Sequence, residues 1–452
     1  MMRDAELKMC GLLGARFKCA CGREHFIPTK QVVVENEAIG LLSELCERNG
    51  MTGKCNLLAD STTYEVCGRE AASELRSSGI HPHEIVLDNP RADEKTCEAV
   101  ISLANPHGEF WLAVGSGTIN DIAKFVSTKA SQPYAVVATA PSMNGYTSSI
   151  AALTVGGLKM TLPANPPVFV LADLKVLCEA PYELIAAGLG DAISKPVSNA
   201  DWMLAHIFFG EHICEFCLQL LSHAEPLYVQ NASALKSREP TAIRALMEAL
   251  CLAGIAMTIA GSSSPVSGGE HLISHALDMH ASVIGRKVNL HGAQVGVATL
   301  FSVALYERLF ELDVRKLNPY GLAQRYTALD EWITRLRRFF GEVYNRVFEQ
   351  FAMKYPASQD EFLRRVECAI SVWEDAKSML CKVLRSHDEL RKALLEAGAP
   401  TKVDELGINR GEFREAVMLA RTIRSRYTVL DLASELGILP DELDELMERS
   451  QI

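Results

Sequence analysis

Three glycine-flanked segments carry side chains able to hold a metal ion: Asp191 in GLGDAISK, His271 and His275 in SGGEHLISHALDMH, and His291 in NLHGAQVG. One carboxylate and two imidazoles make a three-donor set that leaves positions open for a substrate oxygen. Lewis-acid catalysis needs such a position, whereas a structural site closes it. His271 and His275 are four apart, so on a helix they share one face and can point into one cleft. A neutral imidazole can ligate a metal or carry a proton near pH 7, and spacing alone leaves both roles open. It likewise leaves Asp191 free to cap the helix that follows.

A second set of residues suits a dinucleotide. FWLAVGSGTINDIAKF reads as a strand, the turn Gly115-Ser116-Gly117-Thr118, and a helix that includes Asp121. Two glycines in three residues let backbone N–H groups approach a pyrophosphate at the positive end of that helix. The third glycine of the usual dinucleotide fingerprint is missing, so the turn alone is equally compatible with an ordinary tight turn. Asp60 follows the apolar run Cys55–Ala59. A carboxylate there can accept hydrogen bonds from ribose hydroxyls and disfavour a 2′-phosphate, or it can simply open a turn. In ATAPSMNGYTSS, the hydroxyl residues Thr139, Ser142, Thr147 and Ser148 follow another strand, at the end of the sheet where open α/β folds bind ligands.

Cys19, Cys21 and His25, in KCACGREH, are the closest cluster among thirteen cysteines. Three donors with no fourth nearby fall short of a structural zinc site, so the segment reads as a short strand with a tight turn at Cys21-Gly22. The other thiols are scattered, which suits a reduced, intracellular chain. The net charge of −11, without a long basic run, argues against nucleic acid as the main partner but permits a small anionic substrate in a local field of opposite sign. MMRDAELKMCGLLGARF lacks the long apolar core of a leader, and runs such as Ala135–Ala140 and Val168–Ala172 are too short to span a bilayer.

These residues need a scaffold, and the chain alternates between strand and helix patterns up to about residue 175. Val32–Val34, Cys55–Ala59, Ile85–Leu87, Phe110–Val114, Tyr134–Val137 and Val168–Leu171 read as strands, with helices at Ala38–Asn49, Glu65–Ser78 and Asn120–Ser127 between them. Such alternation predicts an α/β layer with a mostly parallel sheet. Beyond Pro181 strand-like runs disappear and helical periodicity takes over, as in Thr241–Ala260, Leu329–Phe351 and Glu361–Arg385. With 452 residues, two domains are expected: residues 1–176, α/β and dinucleotide-binding, and residues 177–452, all-helical, holding metal and substrate.

Taken in order, CACGREHFIP, VGSGTINDIAKF, TAPSMNGYTS, LPANPPVFVLADL, AAGLGDAISKPVSNADWMLAH, SGGEHLISHALDM, LHGAQVGVAT and IRSRYTVLDLASELGIL resemble the sn-glycerol-1-phosphate dehydrogenases, their bacterial branch above all. That family lies in the superfamily of iron-containing alcohol dehydrogenases and dehydroquinate synthases. The resemblance implies an α/β nucleotide-binding domain followed by a helical one, with the active site in a cleft. It implies interconversion of dihydroxyacetone phosphate and sn-glycerol 1-phosphate by hydride transfer with NAD or NADP, assisted by one divalent metal, zinc first, with nickel or iron also possible.

By motif it makes Asp191, His271 and His291 the ligands, and puts His275 close to the active site without being a principal ligand; the proton can come by way of the cofactor ribose, water or His275. Gly115, Ser116, Gly117, Thr118, Asp121, Thr139, Ser142 and Ser148 fall on the cofactor side, with Asp60 toward the ribose; Asn144 and Lys195 fall on the substrate side. A cytoplasmic homodimer, without membrane insertion, is implied as well. Asn144 stands where the family usually has Asp, Ser264 where it commonly has Arg, and Pro196 where an aromatic residue is expected. These departures predict an altered substrate pocket. They leave room for another polyol or phosphorylated ketone, for a dehydroquinate synthase-like cyclase, or for a nucleotide-binding protein without turnover.

Overall fold

Apolar, β-branched runs bounded by turn residues become the strands of one sheet. In the structure, a computed structural model describing residues 11–452, the six expected runs are β1 (Gln31–Glu35), β2 (Lys54–Asp60), β3 (His81–Leu87), β4 (Phe110–Gly115), β5 (Tyr134–Ala138) and β6 (Phe169–Asp173). All neighbours pair in parallel, in the order β1-β6-β5-β4-β2-β3. Every residue of β4, β5 and β6 is buried, as strands covered on both faces must be. Leu57, Leu112, Val114, Val137 and Leu171 pack against Leu42, Ala72 and Leu75 of the covering helices. The leader reading rested mainly on residues 1–10, outside the described residues.

The chain leaves β2 for β3 on one side, then crosses to β4 on the other side of β2. The crevice between β2 and β4 is therefore the topological switch point of the sheet, the place where open α/β folds bind ligands.

Two compact units make up the chain. The first runs to Ala192 and takes in Cys214–Ser263; the second comprises Ile193–Ile213 and Ser264–Ile452. This division lies later than the boundary expected at residues 176/177. Helices Tyr182–Ala192, Glu215–Val229 and Pro240–Ala260 bury their apolar faces in the first unit, a non-local pairing that composition does not reveal. Pro240–Ala260 is long and apolar enough by composition to cross a membrane, yet 89% of its apolar window is buried. It is the core helix of its unit.

Local differences have local causes. The helix expected over Leu329–Phe351 is broken into Ile333–Phe340 and Tyr344–Ala352 around Gly341, whose φ of 56° no helix accommodates. Two small hairpins were not anticipated as such: Arg16–Lys18 with Glu24–Phe26, and Ile150–Val155 with Leu158–Pro163. The first contains the expected tight turn, Gly22 taking φ 86°.

Candidate active site

At the carboxyl ends of β2, β4 and β5 the first unit opens a cavity of about 620 Å³, a size typical of ligand pockets. Asp60, Ser116, Thr118 and Thr139 line it, together with Asp88 and Asn89 from the end of β3. Gly115 closes β4 and Gly117 opens the helix Gly117–Lys129, so the glycine turn delivers that helix's N-terminus to the cavity. Asp60 also caps a short helix: its Oδ1 accepts from Thr63 N at 2.8 Å, while its own N–H donates to Thr63 Oγ1 at 3.1 Å. Turn-opening and cavity-lining are combined in one carboxylate.

The loop after β5 is clamped between two helices through glycines. A Cβ on Gly188 would meet the carbonyl oxygen of Pro141 at 1.7 Å, and one on Gly254 would meet Thr147 Oγ1 at 2.3 Å, so only glycine admits this approach at either position. The clamp brings Asn144 onto Asp191, with Asn144 N donating to Oδ2 at 2.9 Å and Nδ2 to Oδ1 at 2.7 Å. Asp191 is fully buried in the last turn of its helix. Two donated hydrogen bonds stabilise its ionised form there.

Other members of the expected set turn elsewhere. Buried Ser148 accepts from Lys124 Nζ at 2.9 Å and donates to loop carbonyls. Burial draws Lys124 down to about 8, against the pull of Asp121. Asp121 itself faces Ala152 and Lys159 of the second hairpin, its carboxyl raised by burial. Ser142 is buried beside Tyr146. None of Asp121, Ser142 and Ser148 lines the cavity.

In the second unit, the helix Gly269–Val283 carries His271 and His275, and His291 opens the helix His291–Glu311. Their ring centroids lie 5.2 to 6.4 Å apart, and His275 stacks on His291 at an interplanar angle of 14°. His271 Nδ1 bonds Glu270 Oε1 at 2.7 Å, and His291 Nδ1 meets Ser274 Oγ at 3.2 Å. Partners on Nδ1 fix the rings and direct each Nε2 outward, the usual arrangement behind a metal-ligating imidazole.

Glu270 has no solvent exposure. Burial pushes its carboxyl up, but hydrogen bonds from His271, Ser198 and Gly268 N–H outweigh that and hold it below the ordinary range. Burial and the Glu270 charge lift the neighbouring Asp201 to about 7. Of this carboxylate pair, Glu270 keeps the charge that orients His271. Lys195 opens the helix Lys195–Phe209, buried, with Nζ on Ser194 Oγ at 3.1 Å.

Several residues here escaped the reading of the sequence. Asp278 offers a donor atom within 4.8 Å of those of His275 and His291; its position, seven beyond His271 on the same helix face, was the available signal. Ser264, noted in the sequence as a departure from the family, donates to Glu211 at 2.9 Å. Arg426, in IRSRYTVLDL, donates to the Ser267 carbonyl and lies within the field of Glu211, Glu270 and Asp201, with Arg424 beside it. Burial lowers both guanidinium pKa values, that of Arg424 to about 10.

Residues 33–181 match the family model described as iron-containing alcohol dehydrogenase. A glycerol-1-phosphate dehydrogenase [NAD(P)+] of Geobacillus stearothermophilus is 31% identical over 433 residues, 93% of this chain and 96% of the relative. One from Thermococcus kodakarensis is 34% identical over 283 residues, covering 62% of this chain and 79% of the relative. Among solved structures, glycerol dehydrogenase from Schizosaccharomyces pombe superposes with a TM-score of 0.60 at 15% identity, over 94% of this chain and 92% of the other. NADH-dependent butanol dehydrogenase A from Thermotoga maritima gives 0.56 at 17%, over 97% and 98%, so the fold is shared well beyond close relatives. By identity sustained over nearly its whole length, the chain belongs to the glycerol-1-phosphate dehydrogenase family and is a dehydrogenase.

Proposed function

We propose that the chain interconverts dihydroxyacetone phosphate and sn-glycerol 1-phosphate with NAD(P), dihydroxyacetone phosphate + NAD(P)H + H⁺ giving sn-glycerol 1-phosphate + NAD(P)⁺. The observation that carries this reading is the 31% identity over 433 residues to a relative of that name. The cavity at the switch point supports a dinucleotide there: the glycine turn would receive the pyrophosphate, and Asp60 the adenosine ribose.

The donor chemistry fits a divalent metal. By the family motif Asp191, His271 and His291 would hold it, and an N₂O set with open positions suits zinc, with nickel or iron accepted. Such an ion supplies Lewis acidity to a ketone oxygen. Asn144 orients Asp191 through two donated hydrogen bonds, and Glu270 orients the His271 ring through Nδ1. His275, packed on His291 beside Asp278, is suited to carry the proton that balances hydride transfer.

The charge expected at position 264 has a substitute. Arg424 and Arg426, half-buried cations two residues apart, would anchor a phosphate, and an anion between them would relieve their mutual repulsion. Homodimer formation and a cytoplasmic location carry over from the family. Steady-state oxidation of NADH and NADPH against phosphorylated and free ketones tests the proposal. Dihydroxyacetone phosphate should give the highest kcat/KM, and a free ketone that surpasses it would overturn the substrate assignment.

A further inference from the structure

The donors set aside in the sequence for want of a fourth acquire one in the fold. Cys214, 189 residues beyond His25, brings its Sγ to 3.7 Å from His25 Nε2 and 3.7 Å from Cys19 Sγ. Cys21 Sγ lies 3.2 Å from the same Nε2. All four donor atoms fall within 4.8 Å of one another. We propose that Cys19, Cys21, His25 and Cys214 form a closed tetrahedral metal site, structural in role and suited to zinc.

The distances favour a shared ion over a disulfide. A disulfide holds its sulfurs about 2.05 Å apart. Around a zinc ion at about 2.3 Å from sulfur and about 2.0–2.1 Å from nitrogen, tetrahedral edges are about 3.8 Å for S···S and about 3.6 Å for S···N. The two 3.7 Å separations of Cys214 are close to those edges, and Cys21 Sγ lies nearer still to His25 Nε2, at 3.2 Å. Cys19, Cys21 and Cys214 are all free thiols. Four protein donors leave no open position, unlike the three-donor set of the active site.

The local structure has a use for such an ion. The hairpin Arg16–Lys18 with Glu24–Phe26 pairs only three residues on each side, too few to be stable by themselves. Its turn presents Cys19 and Cys21 together, with Cys19 N–H bonded to the Arg23 carbonyl and Gly22 N–H to the Cys19 carbonyl. Cys214 is the N-cap of the helix Glu215–Val229, and Phe17 packs edge-on against Phe216 at 5.4 Å and against His25 at 5.5 Å. His25 and Cys214 are buried, so the ion would staple the hairpin to the start of that helix beneath an aromatic cover.

Cobalt(II) substitution of the full-length chain tests this directly, because the active-site donors contain no sulfur. The loaded chain should show thiolate-to-cobalt charge-transfer absorption, displaced by zinc. The absorption should persist in His271→Ala and vanish in the double variant Cys21→Ser/Cys214→Ser, which should bind one metal equivalent per chain less than the wild type. If that variant fails to fold, zinc-edge X-ray absorption on the wild type decides, with three sulfurs and one nitrogen expected in one of the zinc environments. Nitrogen and oxygen neighbours alone, or a Cys19–Cys214 disulfide in chain purified under argon with reductant, would overturn the proposal.

Discussion

At the carboxyl ends of β2, β4 and β5, the cavity is lined by short hydroxyl side chains, a few apolar ones and carboxylates that include the capping Asp60. On the helix Gly269–Val283, the chemistry rests on imidazoles, with His271 held by Glu270, which is held in turn by Ser198 and Gly268 N–H. The first arrangement relies on chain geometry, so single side-chain changes there should tune affinity. The second relies on a few charged donors in a dry interior, where each loss leaves a buried partner unsatisfied. Substitutions in the two regions should therefore differ in kind as well as in size.

The largest effect is expected from the second region. His271→Ala should abolish turnover and remove the active-site metal without unfolding the sheet unit, as checked by metal analysis and circular dichroism. Glu270→Gln, which keeps a polar group but loses the orienting charge, should lower metal affinity or kcat by about 10- to 100-fold. Near-wild-type activity in Glu270→Gln would mean that His271 is oriented by packing alone.

Next comes Gly188→Ala, which tests how rigidly geometry governs the first region. The new methyl meets the Pro141 backbone, so the loop carrying Thr139 and Asn144 must move. Loss of stability of about 1–3 kcal/mol is expected, with a fall in kcat/KM, measured by denaturant melts and steady-state kinetics. Arg424→Gln should raise KM for dihydroxyacetone phosphate about 10- to 100-fold with little change for unphosphorylated ketones, as expected for loss of a charged hydrogen bond. An equal change for both substrate classes would take the phosphate away from this arginine.

Asp60→Asn should do least. The amide oxygen can still accept from Thr63 N–H, so the cap and the melting temperature should survive, while loss of the charge should raise the kcat/KM ratio of NADPH to NADH. An unchanged ratio would leave Asp60 as a capping residue alone.

The same contrast explains what the sequence discloses. The six strands and the glycine turn were legible because they depend on periodicity and on neighbours within a few residues. Asp278 is legible in the same way, on the face shared by His271 and His275. Cys214 was not legible as a partner of Cys19, because only the packing of the helix Glu215–Val229 into the first unit joins them. Nor could the sequence indicate that Asn144 would meet Asp191, since that contact follows from the loop lying against Gly188 and Gly254. An amide at 144 acts here as a donor to a buried carboxylate, a role that Asp could fill only when protonated or with a cation between the two.

The reading of the whole molecule as a glycerol-1-phosphate dehydrogenase is tested most directly by the product of its reaction. Dihydroxyacetone phosphate and NADH are incubated with the metal-loaded chain, and the chirality of the glycerol phosphate formed is assigned with stereospecific enzymes. The account predicts sn-glycerol 1-phosphate, formed with a kcat/KM above that of any free ketone and absent in His271→Ala. Formation of the sn-3 enantiomer, or no oxidation of NADH or NADPH by a chain that carries its metal, would contradict it.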